Sequence, residues 1–320
     1  MTVRVGVDLS VDDSLLAGFG REVQVVRIPE DPQEDIAVDF WVPAMRPSTV
    51  QRQWQHLKGV RVIQAPWAGV DALRKIFPPT VMFCDARGVH DIPTAEWTIT
   101  AILAMQKCLP FFADMQRQGK WALGQQSHQI DHPTPTKIKN PAAPMQEVAD
   151  ATVLIVGYGS IGRAVEARLA PFGTSFLRVA RSAHAGVEPV SHLDQLLPGA
   201  DIVVLTIPLT SETRHLFDAQ RLAKMKSGAL LVNASRGAIV DTEALLQSLT
   251  QGKIRAALDV TDPEPLPEGH PLWKAPNLFL TPHVAGDSDK FLGRAFKLIR
   301  EQVERFVRGE PLLNVVIGEY

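Results

Sequence analysis

Cysteine is scarce in this sequence. Of the 320 residues only two, Cys84 and Cys108, are cysteines, which is too few for a disulfide framework or a cysteine-based zinc site. Both stand in apolar stretches, VMFC and AILAMQKCL, where the simple interpretation of each is a small core residue. We therefore predict no metal site.

An excess of either charge and a long apolar run are also missing. Lys plus Arg number 33 against 35 for Asp plus Glu, and the net charge is -2. This balance provides neither a basic field for nucleic acid nor a cationic face for a membrane. No run approaches the ~20 apolar residues of a membrane span. The N-terminal MTVRVGVDLS also lacks the apolar stretch of a signal peptide. We expect a cytoplasmic protein that binds neither nucleic acid nor membranes.

Short apolar runs rich in branched side chains recur along the chain and predict strands. Four lie at 3–9, 37–43, 60–66 and 81–86, and six more at 152–157, 175–180, 201–208, 228–235, 254–260 and 277–283. Helix-length pieces separate them, which favours βα units and mostly parallel sheets. One such piece, PTAEWTITAILAMQKC, predicts a helix with Thr94 as its N-cap. Six strands are the number in a complete Rossmann sheet.

The last helical segment indicates how the domains are connected. Phe291, Ala295, Ile299, Val303 and Phe306 recur at helical spacing before Gly309, which predicts an amphipathic helix that ends at this glycine. Since the helix follows the sixth strand of the second set, it is free to return to the first domain. We therefore predict a nucleotide domain, 105–284, inserted into a substrate domain of residues 1–104 and 285–320.

A proline-rich stretch without helical or strand periodicity precedes the second set of strands. It runs from 124 to 148 and holds four prolines. A loop of this length in a compact protein is usually functional or disordered. The residues leave open whether it is an ordered arm or a flexible linker.

The stretch LIVGYGSIGRAVEARL contains the G-x-G-x-x-G spacing at Gly157, Gly159 and Gly162. The spacing alone is common, but here it follows a predicted strand and opens a helix, which is the context that the motif requires. The first glycine permits a tight turn, the second lets a pyrophosphate approach, and the third lets the helix pack closely on the sheet. We predict that a dinucleotide binds at this helix N-terminus. The alternative is a glycine-rich turn without a ligand.

Three polar residues fall at or just after the ends of predicted strands: Arg236, Glu264 and His283. Ligands of open α/β sheets bind beyond the carboxyl ends of the strands. Taken singly, each residue has an ordinary explanation as a solvated arginine, a turn glutamate or a structural histidine. Together they suit the reduction of a 2-keto acid by a nicotinamide. A carboxylate keeps the histidine protonated as proton donor, and a guanidinium clamps the substrate carboxylate.

From Val60 to Asn314 the chain resembles the D-isomer-specific 2-hydroxyacid dehydrogenases. The resemblance rests on GYGSIG, TIPLTSETRHLFD, LLVNASRGAIVD, AALDVTDPEPLP and LTPHVAG. It implies Arg236 as substrate clamp, Glu264 as partner of the histidine, and His283 as catalytic acid/base. It also implies a Rossmann domain inserted into a flavodoxin-like domain, a cleft that closes by hinge motion, and a homodimer to which the proline-rich stretch contributes. Formate oxidation is not expected, because formate dehydrogenases of this superfamily carry glutamine where Glu264 stands.

The resemblance also assigns ligand residues. QAPWAGVDAL is similar to the family's substrate loop, in which the backbone N–H groups of Ala68 and Gly69 hold the carboxylate. Trp67 replaces an expected small residue and shapes the pocket, and Arg236 and His283 complete the substrate set. The expected cofactor residues are Gly157, Tyr158, Gly159, Ser160, Ile161, Gly162, Ala180, Arg181, Ser182, Ile207, Pro208, Thr213, Ala234, Ser235, Arg236, Asp259, His283, Ala285 and Gly286.

The stretch FLRVARSA bears on the choice of cofactor. NAD-dependent sites place an acid on the adenosine ribose about 20 residues beyond the glycine turn. No Asp or Glu occurs here from Ala167 to Val187, and Ala180 stands where NAD-dependent members of the family carry aspartate. Arg181 and Ser182 follow and can bind a 2′-phosphate. We predict a preference for NADP(H), with NAD(H) possible; the alternative is a solvated arginine.

The predicted function is reduction of a small 2-keto acid such as glyoxylate or hydroxypyruvate. Two other functions stay open. Dinucleotide-sensing corepressors share this fold and can retain Arg236, Glu264 and His283. A dehydrogenase of another small anion, such as phosphite, would need a substrate panel to distinguish it.

Overall fold

The chain folds into two α/β units. The computed structural model describes residues 2–71, 73, 76–120 and 145–318. One unit comprises Met1–Asp91 with Asp287–Tyr320, and the other comprises Ile92–Gly286. The second unit therefore interrupts the chain of the first, as the predicted fold class requires. The assignment of substrate and nucleotide roles, with boundaries after 104 and 284, stays a prediction.

The first unit contains a parallel sheet of five strands in the order β2-β1-β4-β6-β7. The strands are β1 (Val3–Asp8), β2 (Val23–Ile28), β4 (Phe40–Val42), β6 (Val62–Gln64) and β7 (Met82–Cys84), and β3 (Ile36–Ala37) pairs separately with β5 (Leu57–Lys58). Its helices are α1 (Asp13–Leu16), α2 (Pro47–His56) and α9 (Phe291–Arg308). The four strand runs predicted here are confirmed. Sequence reasoning missed β2, a strand at the sheet edge that is only partly buried.

The C-terminal helix α9 forms as predicted and ends at Gly309, whose φ of 69° is left-handed. Its apolar stripe supplies Phe296, Ile299 and Val303 to the same core cluster as Val5 and Val7 of β1. The apolar residues that recur at helical spacing in the sequence are thus the ones that the helix buries against the sheet.

The second unit contains a seven-stranded sheet in the order β10-β9-β8-β11-β12-β13-β14, with every described pair parallel. The strands are β8 (Thr152–Val156), β9 (Ser175–Ala180), β10 (Glu188–Pro189), β11 (Ile202–Leu205), β12 (Leu230–Asn233), β13 (Arg255–Leu258) and β14 (Leu278–Leu280). The helices are α3 (Asp91–Gln106), α4 (Leu109–Arg117), α5 (Ser160–Leu169), α6 (Leu193–Leu196), α7 (Ala219–Lys224) and α8 (Thr242–Thr250). All six predicted strands are present. The short β10 was not predicted.

Two local expectations differ in their outcome. Helix α3 begins at Asp91, so Thr94 lies inside the helix and is not its N-cap; its carbonyl accepts from the Thr98 hydroxyl at 2.8 Å. Cys84 and Cys108 are both buried, as expected, and do not form a disulfide.

Most of the proline-rich stretch falls within residues 121–144, outside the described part of the chain. The dimer contact assigned to it therefore stays a prediction. Among the helices that the structure describes, none has the length and apolar character to cross a membrane.

Candidate active site

The glycine turn joins β8 to α5 with the geometry that the motif requires. Gly157 has φ +106°, and a Cβ on it would lie 2.5 Å from the Thr206 carbonyl. A Cβ on Gly162 would lie 2.6 Å from the Gly157 carbonyl oxygen, whereas a Cβ on Gly159 would meet nothing within 4 Å. The first and third glycines therefore serve close packing, and the second leaves open space. The first N–H groups of α5 have no partners inside the helix, so the turn fits an anionic pyrophosphate.

Backbone hydrogen bonds attach the turn to the neighbouring strands. The N–H groups of Gly157 and Tyr158 both donate to the Val179 carbonyl of β9, at 2.8 and 3.0 Å. On the other side the Thr206 hydroxyl donates to the Gly157 carbonyl at 2.8 Å. Sequence reasoning did not single out Thr206, which follows β11 and helps to hold the turn.

The end of β9 carries the residues predicted to choose the cofactor. Arg181 and Ser182 follow Ala180 directly and are exposed. The unpredicted β10 places Glu188 beside Val179, one residue before the end of β9. Its carboxylate contacts His192 Nδ1 at 2.8 Å. The nearby acid is thus already paired with a histidine.

The loop after β11 holds Ile207, Pro208 and Thr213 of the predicted cofactor set, all half-buried. The Thr213 hydroxyl donates to the Pro208 carbonyl at 2.7 Å, and the N–H of Thr210 donates to the Thr213 hydroxyl at 2.8 Å. These bonds close the loop on itself. A closed loop keeps its backbone in one position against any ligand at the sheet edge.

Arg236, Glu264 and His283 follow three strands that are neighbours in the sheet: β12, β13 and β14. Because the strands are parallel, all three residues fall at the same edge, as the sequence predicted. His283 Nδ1 is in hydrogen-bond contact with Glu264 Oε1. The Arg236 charge influences the pKa of both residues.

The pair sets the protonation of its two members. The hydrogen bond that His283 donates to Glu264 raises the pKa of His283 above its ordinary value, against burial and the Arg236 charge, which lower it. Burial alone would raise the pKa of Glu264, but the His283 hydrogen bond and the charges of His283 and Arg236 bring it below the usual range. The pair therefore favours a protonated imidazole beside an ionised carboxylate. The imidazole is 46% exposed, so it is open to a ligand.

Asp259 anchors the turn that carries the histidine. Its carboxylate accepts from the Thr281 hydroxyl at 2.6 Å and from the N–H groups of Val284 and Ala285 at 2.9 and 2.8 Å. Its carbonyl accepts from the His283 N–H at 2.7 Å. His283 has φ 56°, a left-handed conformation that costs free energy for a non-glycine residue and persists only when its surroundings hold it. A position for Asp259 beside the nicotinamide stays a prediction; its structural role here was not foreseen.

Close backbone contact brings the Arg236 loop against the loop that leads to Glu264. A Cβ on Gly237 would lie 2.0 Å from the Thr261 carbonyl atoms. Asn233 is 1% exposed and holds the same loop, because its side chain accepts from Ser235 and donates to the Arg236 carbonyl at 2.9 Å. Sequence reasoning missed Gly237 and Asn233, although both stand in the quoted NASRGAIVD.

A cavity of about 310 Å³ adjoins the pair, lined by His283, Glu264, Trp273, Leu266 and Leu280 among others. Within the described ranges, no group of three or more His, Cys, Asp or Glu side chains is arranged to hold a metal ion.

The predicted substrate loop lies in the other unit, directly after β6. The Trp67 carbonyl accepts from the Ala86 N–H at 3.0 Å, which fixes the start of this loop, and Ala68 and Gly69 follow. Their roles toward a substrate carboxylate stay predictions.

Comparison with known proteins agrees with this geometry. Residues 99–285 match the model of the D-isomer specific 2-hydroxyacid dehydrogenase NAD binding domain. The chain is 32% identical to the glycerate dehydrogenase of Methylorubrum extorquens over an alignment of 325 positions, which covers 98% of this chain and 96% of the relative. It is 37% identical to the glyoxylate reductase of Thermofilum pendens over 231 residues, 70% of this chain and 64% of the relative.

A similar solved structure is the NADPH-dependent glyoxylate/hydroxypyruvate reductase of Sinorhizobium meliloti in complex with NADP and sulfate. Its TM-score is 0.80 at 26% identity, with 100% of both chains covered. With the sheet order, the glycine turn and the Arg–Glu–His set in place, these matches identify the chain as an oxidoreductase of the D-isomer specific 2-hydroxyacid dehydrogenase family.

Proposed function

We propose that the protein is an NADP(H)-preferring reductase of small 2-keto acids such as glyoxylate or hydroxypyruvate, and that it forms the D-isomer wherever the 2-hydroxy acid product is chiral. The observation that carries the proposal is the contact between His283 and Glu264 at the ends of adjacent parallel strands. It supplies a protonated imidazole at the edge where this fold binds its ligands.

The residues divide the reaction between them. A bound nicotinamide supplies a hydride for the carbonyl carbon. His283 gives a proton to the carbonyl oxygen as negative charge develops there. Since Glu264 contacts Nδ1, the proton leaves from Nε2. Arg236 pairs with the substrate carboxylate and polarises the carbonyl. In the oxidative direction neutral His283 accepts the hydroxyl proton.

The names of the relatives support the substrate class. The Thermofilum and Korarchaeum relatives are called glyoxylate reductases, and the Sinorhizobium neighbour is called a glyoxylate/hydroxypyruvate reductase. The direct test is kcat/KM for glyoxylate, hydroxypyruvate, pyruvate and phosphite with each cofactor. We expect the first two acids to give the highest values. Absence of turnover with any 2-keto acid would reject the proposal.

The pH dependence should have opposite sign in the two directions. Reduction needs the protonated form of His283. Because Glu264 raises the pKa of His283, the ring stays protonated to a higher pH than an ordinary histidine, and reduction should fade as pH rises through this raised pKa. Oxidation needs the neutral ring and should fade as pH falls through the same value. In profiles of kcat/KM against pH, Glu264→Gln should shift both the fall in reduction and the rise in oxidation to lower pH. Asp262→Asn, which removes a carboxylate two residues away, is the control and should move neither. Parallel profiles in the two directions would count against His283 as the acid/base.

The cofactor preference rests on the end of β9. Arg181 and Ser182 are exposed after a strand without a terminal acid, so a 2′-phosphate meets a donor and a positive charge. We expect kcat/KM for NADPH to exceed that for NADH by ~10²-fold, or about 2.7 kcal/mol, at one fixed keto acid concentration.

Exchange of two residues should reverse that preference. Ala180→Asp combined with Arg181→Gln places a carboxylate where the ribose hydroxyls bind and removes the phosphate partner. The NADPH to NADH ratio should then fall toward or below unity. Arg168→Gln, in the last turn of α5, removes an arginine away from this strand end and should leave the ratio unchanged. Equal kcat/KM values for the two cofactors in the unmodified enzyme would reject the role of Arg181.

A further inference from the structure

A polar cluster lies beside the glycine turn, away from the Arg–Glu–His set. Arg178 of β9 donates from Nε and Nη2 to the two carboxylate oxygens of Glu166 on α5, both at 2.6 Å. The side chains are 28% and 19% exposed, which makes this a half-buried bidentate pair. Such fork geometry is the most directional ion pair that proteins form.

Tyr158 joins this pair to the turn. It stands between Gly157 and Gly159, and its ring lies beside the Arg178 guanidinium. The Arg178 guanidinium lies 5.6 Å from the centre of the Tyr158 ring. Arg178 lowers the pKa of Glu166, and burial together with Glu166 raises the pKa of Tyr158. At neutral pH the cluster therefore consists of a carboxylate, a guanidinium and a protonated phenol.

The cluster connects three segments that the cofactor site needs. Tyr158 belongs to the turn itself, Glu166 to the helix whose N-terminus faces the turn, and Arg178 to the strand that ends two residues later at Ala180. The same strand accepts the Tyr158 N–H through Val179. A partly exposed ion pair contributes little to global stability. Fixed geometry in the turn is what the cluster provides.

We propose that Tyr158, Glu166 and Arg178 are positioning residues that hold the glycine turn in its dinucleotide-binding shape. They set the affinity for the cofactor and take no part in proton or hydride transfer. This inference rests on the proposed cofactor site at Gly157–Gly162 but does not depend on the identity of the keto acid.

The test is to measure the Kd of NADPH and of NADH by fluorescence titration in the absence of substrate. Glu166→Gln and Arg178→Gln should each raise Kd about tenfold, the size expected for a lost hydrogen bond to a charged group. The double variant should exceed the larger single effect only slightly, because both changes disrupt one network. NADPH and NADH should weaken by the same factor, because the glycine turn that the cluster holds serves the pyrophosphate, which both dinucleotides share. At saturating cofactor, kcat and the KM for the keto acid should stay unchanged.

A matched control separates this role from general stability. Arg221 and Asp194 form another ion pair of the same unit at 2.9 Å, with 28% and 40% exposure. Asp194→Asn should leave Kd unchanged even if Tm falls. Arg178→Lys keeps the charge but loses the fork, so its Kd should rise as in Glu166→Gln.

Two results would overturn the inference alone: an unchanged Kd in both Glu166→Gln and Arg178→Gln, or an equal rise in the Asp194→Asn control. A wild-type protein that binds neither dinucleotide would overturn the proposed function as well.

Discussion

Replacement of His283 by alanine is expected to lower kcat for keto acid reduction by ~10²–10⁴-fold, the range for loss of a general acid. The reason is that the contact with Glu264 keeps this ring protonated beside the sheet edge. His283→Asn should lose as much activity, while it tolerates the left-handed backbone of this position better than alanine does. NADPH binding should survive in both variants, as measured by titration.

A second histidine provides the control. His192 contacts Glu188 at 2.8 Å, so it too forms a histidine–carboxylate pair in the same unit. It does not follow one of the three strands that carry the Arg–Glu–His set. His192→Ala should leave kcat at saturating cofactor near the wild-type value. If His283→Ala kept near-normal turnover with several keto acids, the acid/base assignment would be wrong.

Gly237→Ala should be nearly as damaging, although Gly237 has no side chain to take part in the reaction. A Cβ there would lie 2.0 Å from the Thr261 carbonyl and 2.6 Å from the Asp262 N atom, so one of the two loops must move. The loops carry Arg236 and lead to Glu264. A misplacement of about 1 Å can cost ~10²-fold in rate, and we expect that loss in kcat/KM. Forced overpacking should also destabilise the fold by ~1–3 kcal/mol, visible as a lower Tm.

Gly199→Ala is the matched control in the same unit, because its Cβ would make only an ordinary contact, 3.9 Å from Leu177 Cδ1. Its kcat/KM should equal that of the wild type. A normal kcat/KM in Gly237→Ala, at an unchanged Tm, would contradict the close packing of the two loops.

His283 was found from the sequence, whereas the importance of Gly237 became visible only in the structure. This difference reflects what local sequence can encode. Strands buried on both faces of a parallel sheet read as continuous apolar runs, so six strands of the second unit were predictable. A polar residue just after such a run must lie at the carboxyl edge. Arg236, Glu264 and His283 were found for that reason, and the glycine turn was found from its fixed spacing between a strand and a helix.

Contacts between distant segments were decided only by the tertiary structure. The spacing of residues does not show how closely Gly237 approaches Thr261. It also does not show that the Asp259 carboxylate accepts hydrogen bonds from the backbone N–H groups of residues 284 and 285. The strands that sequence reasoning missed, β2, β5 and β10, each have, within the described residues, a neighbouring strand on one side only and are short or partly buried, so their burial signal is weak. Periodicity reports whether a residue is buried, whereas the partner of a polar group depends on which strands and loops the fold brings side by side. The sequence alone therefore determined the fold class and the residue types of the site. The tertiary structure decided which hydrogen bonds and close backbone contacts hold those residues in place.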